Sequence, residues 1–125
     1  GKTAGDLLLI DEFRALGTEV LVSTEDGSQG HQGLVTELLD QLLASQPVSP
    51  SVYACGPNPM LKAVGDVALS YGVDAEISLD HVMCCGVGAC FTCVIKLKAD
   101  NEAGWEYVRT CREGPVFKAS QAYWE

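Results

Sequence analysis

The order of apolar and polar positions in the first 79 residues predicts helices and strands in alternation. Leucine and valine recur at helical spacing in residues 34–44, and this apolar stripe indicates a helix that covers a core. Short apolar segments bounded by turn formers indicate buried strands. The predicted helices are residues 3–16, 34–44 and 59–70, with Asn58 as the N-cap of the third, and the predicted strands are residues 20–23, 51–55 and 74–79. This alternation predicts an α/β fold with a parallel sheet.

The pattern changes after residue 79, where glycine and cysteine dominate as far as Cys93. Residues 94–97 and 105–110 then alternate like two antiparallel strands, joined by a loop over residues 99–104. Such a hairpin carries Cys111 back to the cysteine-rich loop, so residues 80–125 are predicted to form a separate small module.

Charge excludes two classes of partner. The chain has 125 residues and a formal net charge of −9, from 17 acidic and 8 basic side chains. An acidic surface repels nucleic-acid phosphates and anionic lipid, so neither nucleic acid nor a membrane is expected as a partner. No apolar run approaches the roughly 20 residues of a membrane span. We expect a cytoplasmic protein, in which grouped cysteines are ligands more often than disulfides.

Four of the six cysteines have the spacing of a metal cluster site. Cys85, Cys90 and Cys93 form C-x4-C-x2-C, and Cys111 follows after a longer interval. This is the plant-type [2Fe–2S] spacing. Gly86 and Gly88 allow backbone conformations closed to other residues, and they let amide N–H groups approach the cluster sulfides. The sequence therefore predicts electron transfer through a [2Fe–2S] cluster.

Two alternatives remain open at this site. Zinc also binds four thiolates, although zinc sites favour two paired knuckles, whereas Cys111 stands alone. Cys84 precedes Cys85, and neighbouring side chains of an extended segment point in opposite directions. We therefore expect Cys84 to be a small buried residue and not a ligand.

The motif region resembles a known family. Residues 80–93 read DHVMCCGVGACFTC, residues 109–117 read RTCREGPVF, and residues 54–61 read ACGPNPML. Together they resemble the electron-transfer subunit of NAD-dependent dihydroorotate dehydrogenase. The resemblance implies a partial ferredoxin-reductase-like nucleotide-binding sheet in residues 1–79, followed by a [2Fe–2S] module in residues 80–125.

The resemblance also implies a path for electrons. They would pass between NAD, an FAD, the [2Fe–2S] cluster and the FMN of a separate catalytic subunit in pyrimidine biosynthesis. The protein would then act as an electron-transfer component within a hetero-oligomer and would not oxidise dihydroorotate itself. A reductase subunit of another iron–sulfur flavoprotein and a zinc-stabilised binding module without a redox role are the alternatives. Residues 114–117, GPVF, favour the first assignment.

The chain departs from the family pattern in two ways. Family members usually have Glu where Asp80 stands and a small residue without a thiol where Cys84 stands. They also begin with a flavin-binding β-barrel and a Gly-rich first strand, which this sequence lacks. We expect the sequence to be part of a longer protein, with incomplete FAD and NAD sites and without activity of its own.

Two segments are candidates for contacts to a nucleotide. Thr24, Glu25 and Asp26 follow a predicted strand, where an acidic residue can bind a ribose 2′-hydroxyl and so favour NAD; an ordinary acidic turn is the alternative. Cys55, Gly56 and Pro57 lie between a strand and a helix, where open α/β sheets bind ligands. For Cys55 the alternative is a small buried residue in a tight turn.

Overall fold

The computed structural model describes residues 1–45, 50–79 and 82–124. The chain divides into two compact units, Gly1–Ser45 and Gln46–Glu125. Asp80 and His81, where the second module was predicted to begin, lie outside the described residues, as do residues 46–49 between the two units.

The first unit contains two helices and a small parallel sheet. Helix α1 is Ile10–Ala15, β1 is Ser23–Thr24, β2 is His31–Gln32 and α2 is Val35–Ser45. Strand β1 pairs in parallel with β2.

Two predictions in this unit need correction. Helix α1 is much shorter than predicted, because a capping box folds residues 4–6 into a 3-10 turn and Leu9 adopts a left-handed backbone conformation with φ of 60°. The strand predicted over residues 20–23 lies further along the chain in β1, and Leu21 is exposed. Helix α2 is confirmed within one residue at each end.

The second unit is built on a three-stranded sheet. Strand β3 is Val52–Cys55, helix α3 is Asn58–Ser70 and strand β4 is Ala75–Ser78. Strands β3 and β4 pair in parallel, as the sequence predicts. Helix α3 begins at Asn58 with Pro57 in the N-cap position, one residue earlier than predicted, and Gly72 with φ of 72° follows its end.

An antiparallel hairpin and a return strand complete this unit. Strands β5, Val94–Lys98, and β6, Trp105–Arg109, form the predicted antiparallel hairpin, and Val94 lies opposite Arg109. A short helix α4, Thr110–Glu113, follows β6. Strand β7, Val116–Lys118, then pairs antiparallel with β4, which the sequence analysis missed. Strand β7, which follows the last cysteine, thus pairs with β4, which precedes the cysteine loop.

The core of the second unit lies between α3 and the sheet. Leu61 and Ile77 are fully buried there, and Phe117 of β7 lies in the register position opposite Ile77. Complete burial of two such aliphatic side chains stabilises the unit by roughly 1.5–3 kcal/mol each. In the described part of the chain, no helix is long and apolar enough to cross a membrane.

Candidate metal centre

The hairpin brings Cys93 and Cys111 together. Cys93 immediately precedes β5 and Cys111 lies in the first turn of α4, directly after β6. The backbone N–H of Thr110 donates to the carbonyl oxygen of Cys93 over 3.0 Å, which fixes the two chain segments side by side. The two side chains are close enough to affect each other's ionisation, and Cys93 is buried. The predicted return of Cys111 to the cysteine loop is therefore present in the structure.

The loop between β4 and β5 brings Cys85 and Cys90 close enough for each to affect the ionisation of the other. The backbone N–H of Ala89 donates to Cys85 Sγ over 3.3 Å. Backbone donors of this kind stabilise a thiolate, the form of cysteine that binds metals.

The electrostatics of the loop favour ionised thiols at three positions. Hydrogen bonds from the side chain and backbone of Thr92 lower the pKa of Cys90 to about 6. The backbone N–H of Val87 lowers the pKa of Cys85, and that of Cys111 lowers the pKa of Cys93. The pKa of Cys111 is raised because its side chain is hydrogen-bonded to Cys93, whose negative charge also opposes its ionisation.

Cys84 does not follow the prediction, because it is exposed and not buried. The extended geometry assumed for it is also absent, since the chain bends from Cys84 through Cys90. Cys84 consequently reaches the same neighbour as Cys85: the negative charge of Cys90 and a hydrogen bond to its side chain raise the pKa of Cys84.

The loop around the thiols depends on left-handed backbone conformations. Gly86 has φ of 66° and Gly88 has φ of 82°. Phe91 has φ of 57°, which is uncommon for a residue with a side chain. A Cβ on Gly88 would lie 2.5 Å from Arg112 Cδ, whereas a Cβ on Gly86 would have no neighbour within 4 Å.

Arg109 holds this loop and was not singled out by the sequence analysis. Its guanidinium donates from Nη1 to the carbonyl oxygen of Gly88 over 3.1 Å and lies 5.3 Å from the ring centre of Phe91. Its Nη2 donates to Glu113 Oε1 over 2.9 Å. The only signal in the sequence is the spacing of Arg109 and Glu113, which matches an i, i+4 ion pair.

The donor set fits an iron–sulfur cluster. Among the described residues, no three His, Cys, Asp or Glu side chains are grouped closely enough to hold one metal ion. The strongest interactions among the four predicted ligands link Cys85 with Cys90 and Cys93 with Cys111, and Cys84 also interacts with Cys90. Two pairs of thiols suit a cluster of two irons, each of which needs two ligands from the protein.

The acidic turn of the first unit combines one buried and two exposed candidates for nucleotide contacts. Thr24 is buried, and its hydroxyl donates to the carbonyl oxygen of Gln29 and accepts from the N–H of Gln29. Glu25 and Asp26 are exposed. Hydrogen bonds from the hydroxyl and N–H of Ser28 lower the pKa of Asp26 and keep its carboxyl ionised. Thr24 thus shapes the turn, and the two carboxylates face solvent.

The second group of candidates lies at the carboxyl end of β3. Cys55 is exposed, which removes the alternative of a buried residue in a tight turn, and Gly56 and Pro57 connect it to α3. Next to this turn is a cleft of about 570 Å³, lined by Asn58 and Lys62 of α3 and by residues of the hairpin and the C-terminal segment, including Lys96 and Tyr107.

Comparisons with known proteins place these features in a class. The structure of an NADH-dependent reduced ferredoxin–NADP oxidoreductase, solved in work on flavin-based electron bifurcation, superposes with a TM-score of 0.76 and 27% identity. The match covers 98% of this chain and 42% of that one. Residues 80–122 match the iron–sulfur cluster binding domain of dihydroorotate dehydrogenase B. Fold and site thus define an iron–sulfur protein with a ferredoxin-reductase-like α/β fold.

Curated relatives identify the family within this class. The electron transfer subunit of dihydroorotate dehydrogenase B (NAD(+)) from Caldanaerobacter subterraneus is 42% identical over 116 residues, covering 93% of this chain and 44% of the relative. The subunits from Fusobacterium nucleatum and Enterococcus faecalis are 45% and 44% identical, each over 88% of this chain and 40% and 41% of the relative. The chain belongs to this family of electron transfer subunits. It spans about two-fifths of the length of these relatives.

Proposed function

We propose that this chain carries a [2Fe–2S] cluster on Cys85, Cys90, Cys93 and Cys111 and passes electrons within an NAD-dependent dihydroorotate dehydrogenase. The observation that carries the proposal is that the β5–β6 hairpin returns Cys111 to Cys93, next to a loop in which the backbone N–H of Ala89 donates to Cys85 Sγ. The family match over residues 80–122 supports the assignment of iron over zinc.

The cluster would supply one-electron chemistry, which links two-electron flavin reactions through single-electron steps. The residues of this chain would hold it and control its surroundings. Cys85 and Cys90 are the ligands on the exposed part of the loop, and Cys93, buried beside β5, holds the other side together with Cys111. The two sides differ in exposure, so electrons would enter or leave through the side of Cys90.

Nucleotide contacts are proposed at two places, each within its own unit. In the first, Glu25 and Asp26 present exposed carboxylates on a turn that Thr24 braces, as binding of a ribose hydroxyl requires. In the second, Cys55, Gly56 and Pro57 lie at the carboxyl end of β3, beside the cleft of about 570 Å³. Both groups would contribute to the NAD and FAD sites of the whole protein.

We also propose that the functional boundary lies between the nucleotide-binding residues 1–79 and the cluster-binding residues 80–125. The start of the family match at residue 80 supports this division. Strand β7, from the cluster side, pairs with β4 of the nucleotide side, so the two functional regions share one sheet. A shared sheet fixes the site of the cluster relative to the carboxyl end of β3.

The relatives are named as electron transfer subunits, and we propose an FMN-containing catalytic subunit as the partner of this chain. Electrons would pass between that FMN and the FAD and NAD bound by the whole electron transfer protein. A cytoplasmic location follows for the same proposal, since six free cysteines, several of them exposed, are stable in a reducing compartment.

The test is an optical spectrum of the anaerobically purified chain before and after dithionite, with iron, sulfide and zinc counted on the same sample. We expect visible bands that bleach on reduction and about two irons per chain, the content of a [2Fe–2S] cluster. Colourless protein with one zinc per chain would establish the zinc-stabilised module instead.

A second arm tests the partner. The chain, extended to the length of its relatives and loaded with FAD, should transfer electrons from NADH to a dihydroorotate dehydrogenase catalytic subunit. Transfer to another iron–sulfur flavoprotein partner, with none to this subunit, would favour the alternative reductase function.

A further inference from the structure

The ion pair between Arg109 and Glu113 connects the cysteine loop to the segment that carries Cys111. Arg109 is the last residue of β6 and lies two positions before Cys111, and Glu113 ends α4 two positions after it. The backbone N–H of Arg109 donates to Glu113 Oε2 over 2.7 Å, and its Nη2 donates to Oε1 over 2.9 Å. Both carboxylate oxygens of Glu113 therefore accept hydrogen bonds from Arg109.

The same guanidinium reaches across to the loop that holds the other thiols. Nη1 donates to the carbonyl oxygen of Gly88 over 3.1 Å, and the guanidinium carbon lies 5.3 Å from the ring centre of Phe91. Gly88 lies midway between Cys85 and Cys90, and Phe91 lies between Cys90 and Cys93. One side chain thus holds the loop at two points between its ligands.

We propose that the Arg109–Glu113 pair is a positioning device for the cluster, in which Arg109 fixes the loop and the balance of the two opposite charges sets the reduction potential. The inference rests on the proposed [2Fe–2S] function and names residues that act on the cluster without binding it. Arg109 is a positioning residue, because its contacts are to the loop and not to the reacting atoms.

Charge explains the effect on potential. Reduction adds a negative charge to the cluster, so a nearby cation favours the reduced state and a nearby anion opposes it. The side chains of Arg109 and Glu113 are only 31% and 38% exposed, so water screens them less than it screens a free surface pair. With both charges present their effects oppose each other, and removing either one leaves the other uncompensated.

This balance predicts shifts of opposite sign for the two partners. Arg109→Gln should lower the reduction equilibrium constant of the cluster on the order of tenfold, which is about 59 mV for one electron. Glu113→Gln should raise it, because its amide keeps an acceptor for the N–H of Arg109 but loses the negative charge. The double variant should return close to the wild-type potential. Arg109→Lys keeps the charge and should shift the potential least of the single variants.

The experiment is a redox titration of the reconstituted chain, followed by electron paramagnetic resonance of the reduced cluster, for wild type and these variants. Hydrogen exchange of residues 85–93 measures the positioning role separately, and Arg109→Gln should accelerate it. Arg14→Gln is the matched control, because Arg14 forms an exposed i, i+3 ion pair with Asp11 on α1. The control should leave both readouts unchanged.

The outcomes separate the two proposals. A wild-type chain that takes up zinc, or no iron, overturns the proposed function and with it this inference. A loaded wild type whose Arg109→Gln and Glu113→Gln variants shift the potential in the same direction, or not at all, overturns only the charge balance. If Arg109→Gln does not retain a cluster, Glu113→Gln alone decides, and its potential must rise.

Discussion

Gly86 and Gly88 lie two residues apart in the cysteine loop, yet their surroundings differ. Both have left-handed backbone angles, φ of 66° and 82°. Gly88 is also buried beneath Arg112 and Arg109, whereas the position of a side chain on Gly86 is open. The two glycines therefore provide a matched test of backbone strain against close packing.

The first prediction uses this pair. Gly86→Ala should cost only the left-handed conformation, about 1–2 kcal/mol of unfolding free energy. Gly88→Ala should cost more, because its Cβ would lie 2.5 Å from Arg112 Cδ and displace the side chains beside the loop. Urea unfolding and the iron content after reconstitution measure both effects. Equal losses in the two variants would show that the contact with Arg112 is unimportant.

The second prediction concerns the thiols. Serine at Cys85, Cys90, Cys93 or Cys111 should abolish or strongly reduce retention of two irons per chain, because each loses one thiolate ligand. Cys55→Ser is the control outside the loop and should keep the cluster. Cys84→Ser should also keep the cluster, since the cysteine spacing selects Cys85 as the ligand. If Cys84→Ser loses iron and Cys85→Ser retains it, Cys84 is the ligand and Cys85 is not.

At the level of elements, the segment after β7 is held to the start of β4 by Asp74. The N–H and hydroxyl of Ser120 donate to its two carboxylate oxygens over 3.2 and 2.6 Å. The hydrogen bond from the Ser120 hydroxyl is the main reason that the pKa of Asp74 lies below its ordinary value of 3.8. These contacts tie the C-terminal segment to the sheet of the second unit.

The third prediction follows from the sign of this shift. A carboxyl with a lowered pKa in the folded state stabilises it above the ordinary value of 3.8, and this contribution is lost as the pH falls through the lower folded value. Unfolding free energy should therefore fall less between pH 5 and pH 3 in Asp74→Asn than in the wild type. Asp100→Asn, in the exposed hairpin loop, should retain the wild-type slope. Parallel slopes in Asp74→Asn and the wild type would contradict the role of Asp74.

Strand β4 is the central strand of the sheet in the second unit and pairs with β3 on one side and β7 on the other. Ile77 lies in the central strand, opposite Ala54 of β3 and Phe117 of β7, and it is fully buried. Its side chain therefore supports the pairing of β4 with both β3 and β7.

The fourth prediction tests this arrangement. Ile77→Ala should lower the free energy of unfolding by about 2–5 kcal/mol, because it removes buried methyl groups and leaves a cavity. Val116→Ala is the control, since Val116 in the same sheet is 50% exposed and should lose far less. Thermal or urea unfolding of the two variants measures the difference. A similar loss of unfolding free energy in both variants would show that Ile77 is not a central core residue.

At the scale of the whole molecule, stability and the cluster site have different sources. The buried core of the second unit lies at α3 and the sheet, at residues such as Leu61 and Ile77. Most of the cysteine loop is exposed, with Val87 at 67% and Phe91 at 61%. We therefore expect the loop to depend on a bound cluster and on Arg109 far more than the sheet does.

The fifth prediction is that removal of the cluster acts locally. Hydrogen exchange of the loop at residues 82–93 should rise strongly after the iron is removed, because few buried apolar contacts hold it. The backbone amides of β3 and β4 should keep their protection. Loss of protection in both regions would show that the cluster is required for the whole second unit to fold.

Features that depend on local spacing could be predicted from the sequence. Periodicity located α2, α3 and the β5–β6 hairpin within a few residues, because their apolar positions repeat over eight or more residues or alternate about a clear turn. The cysteine spacing and the family motifs identified the class of cofactor and the family. Neither α1 nor β1 was located correctly, since a capping box, a left-handed Leu9 and a two-residue strand leave little periodic signal.

The contacts between segments that are distant along the chain could not be predicted from the sequence. Strand β7 has three residues, too few for a pattern, and it exists because β4 offers it an edge to pair with. The exposure of Cys84 follows from a bend, and the hold of Arg109 on Gly88 joins residues 21 positions apart. Such contacts depend on the three-dimensional path of the chain, and the spacing of residues along the sequence carries no record of them.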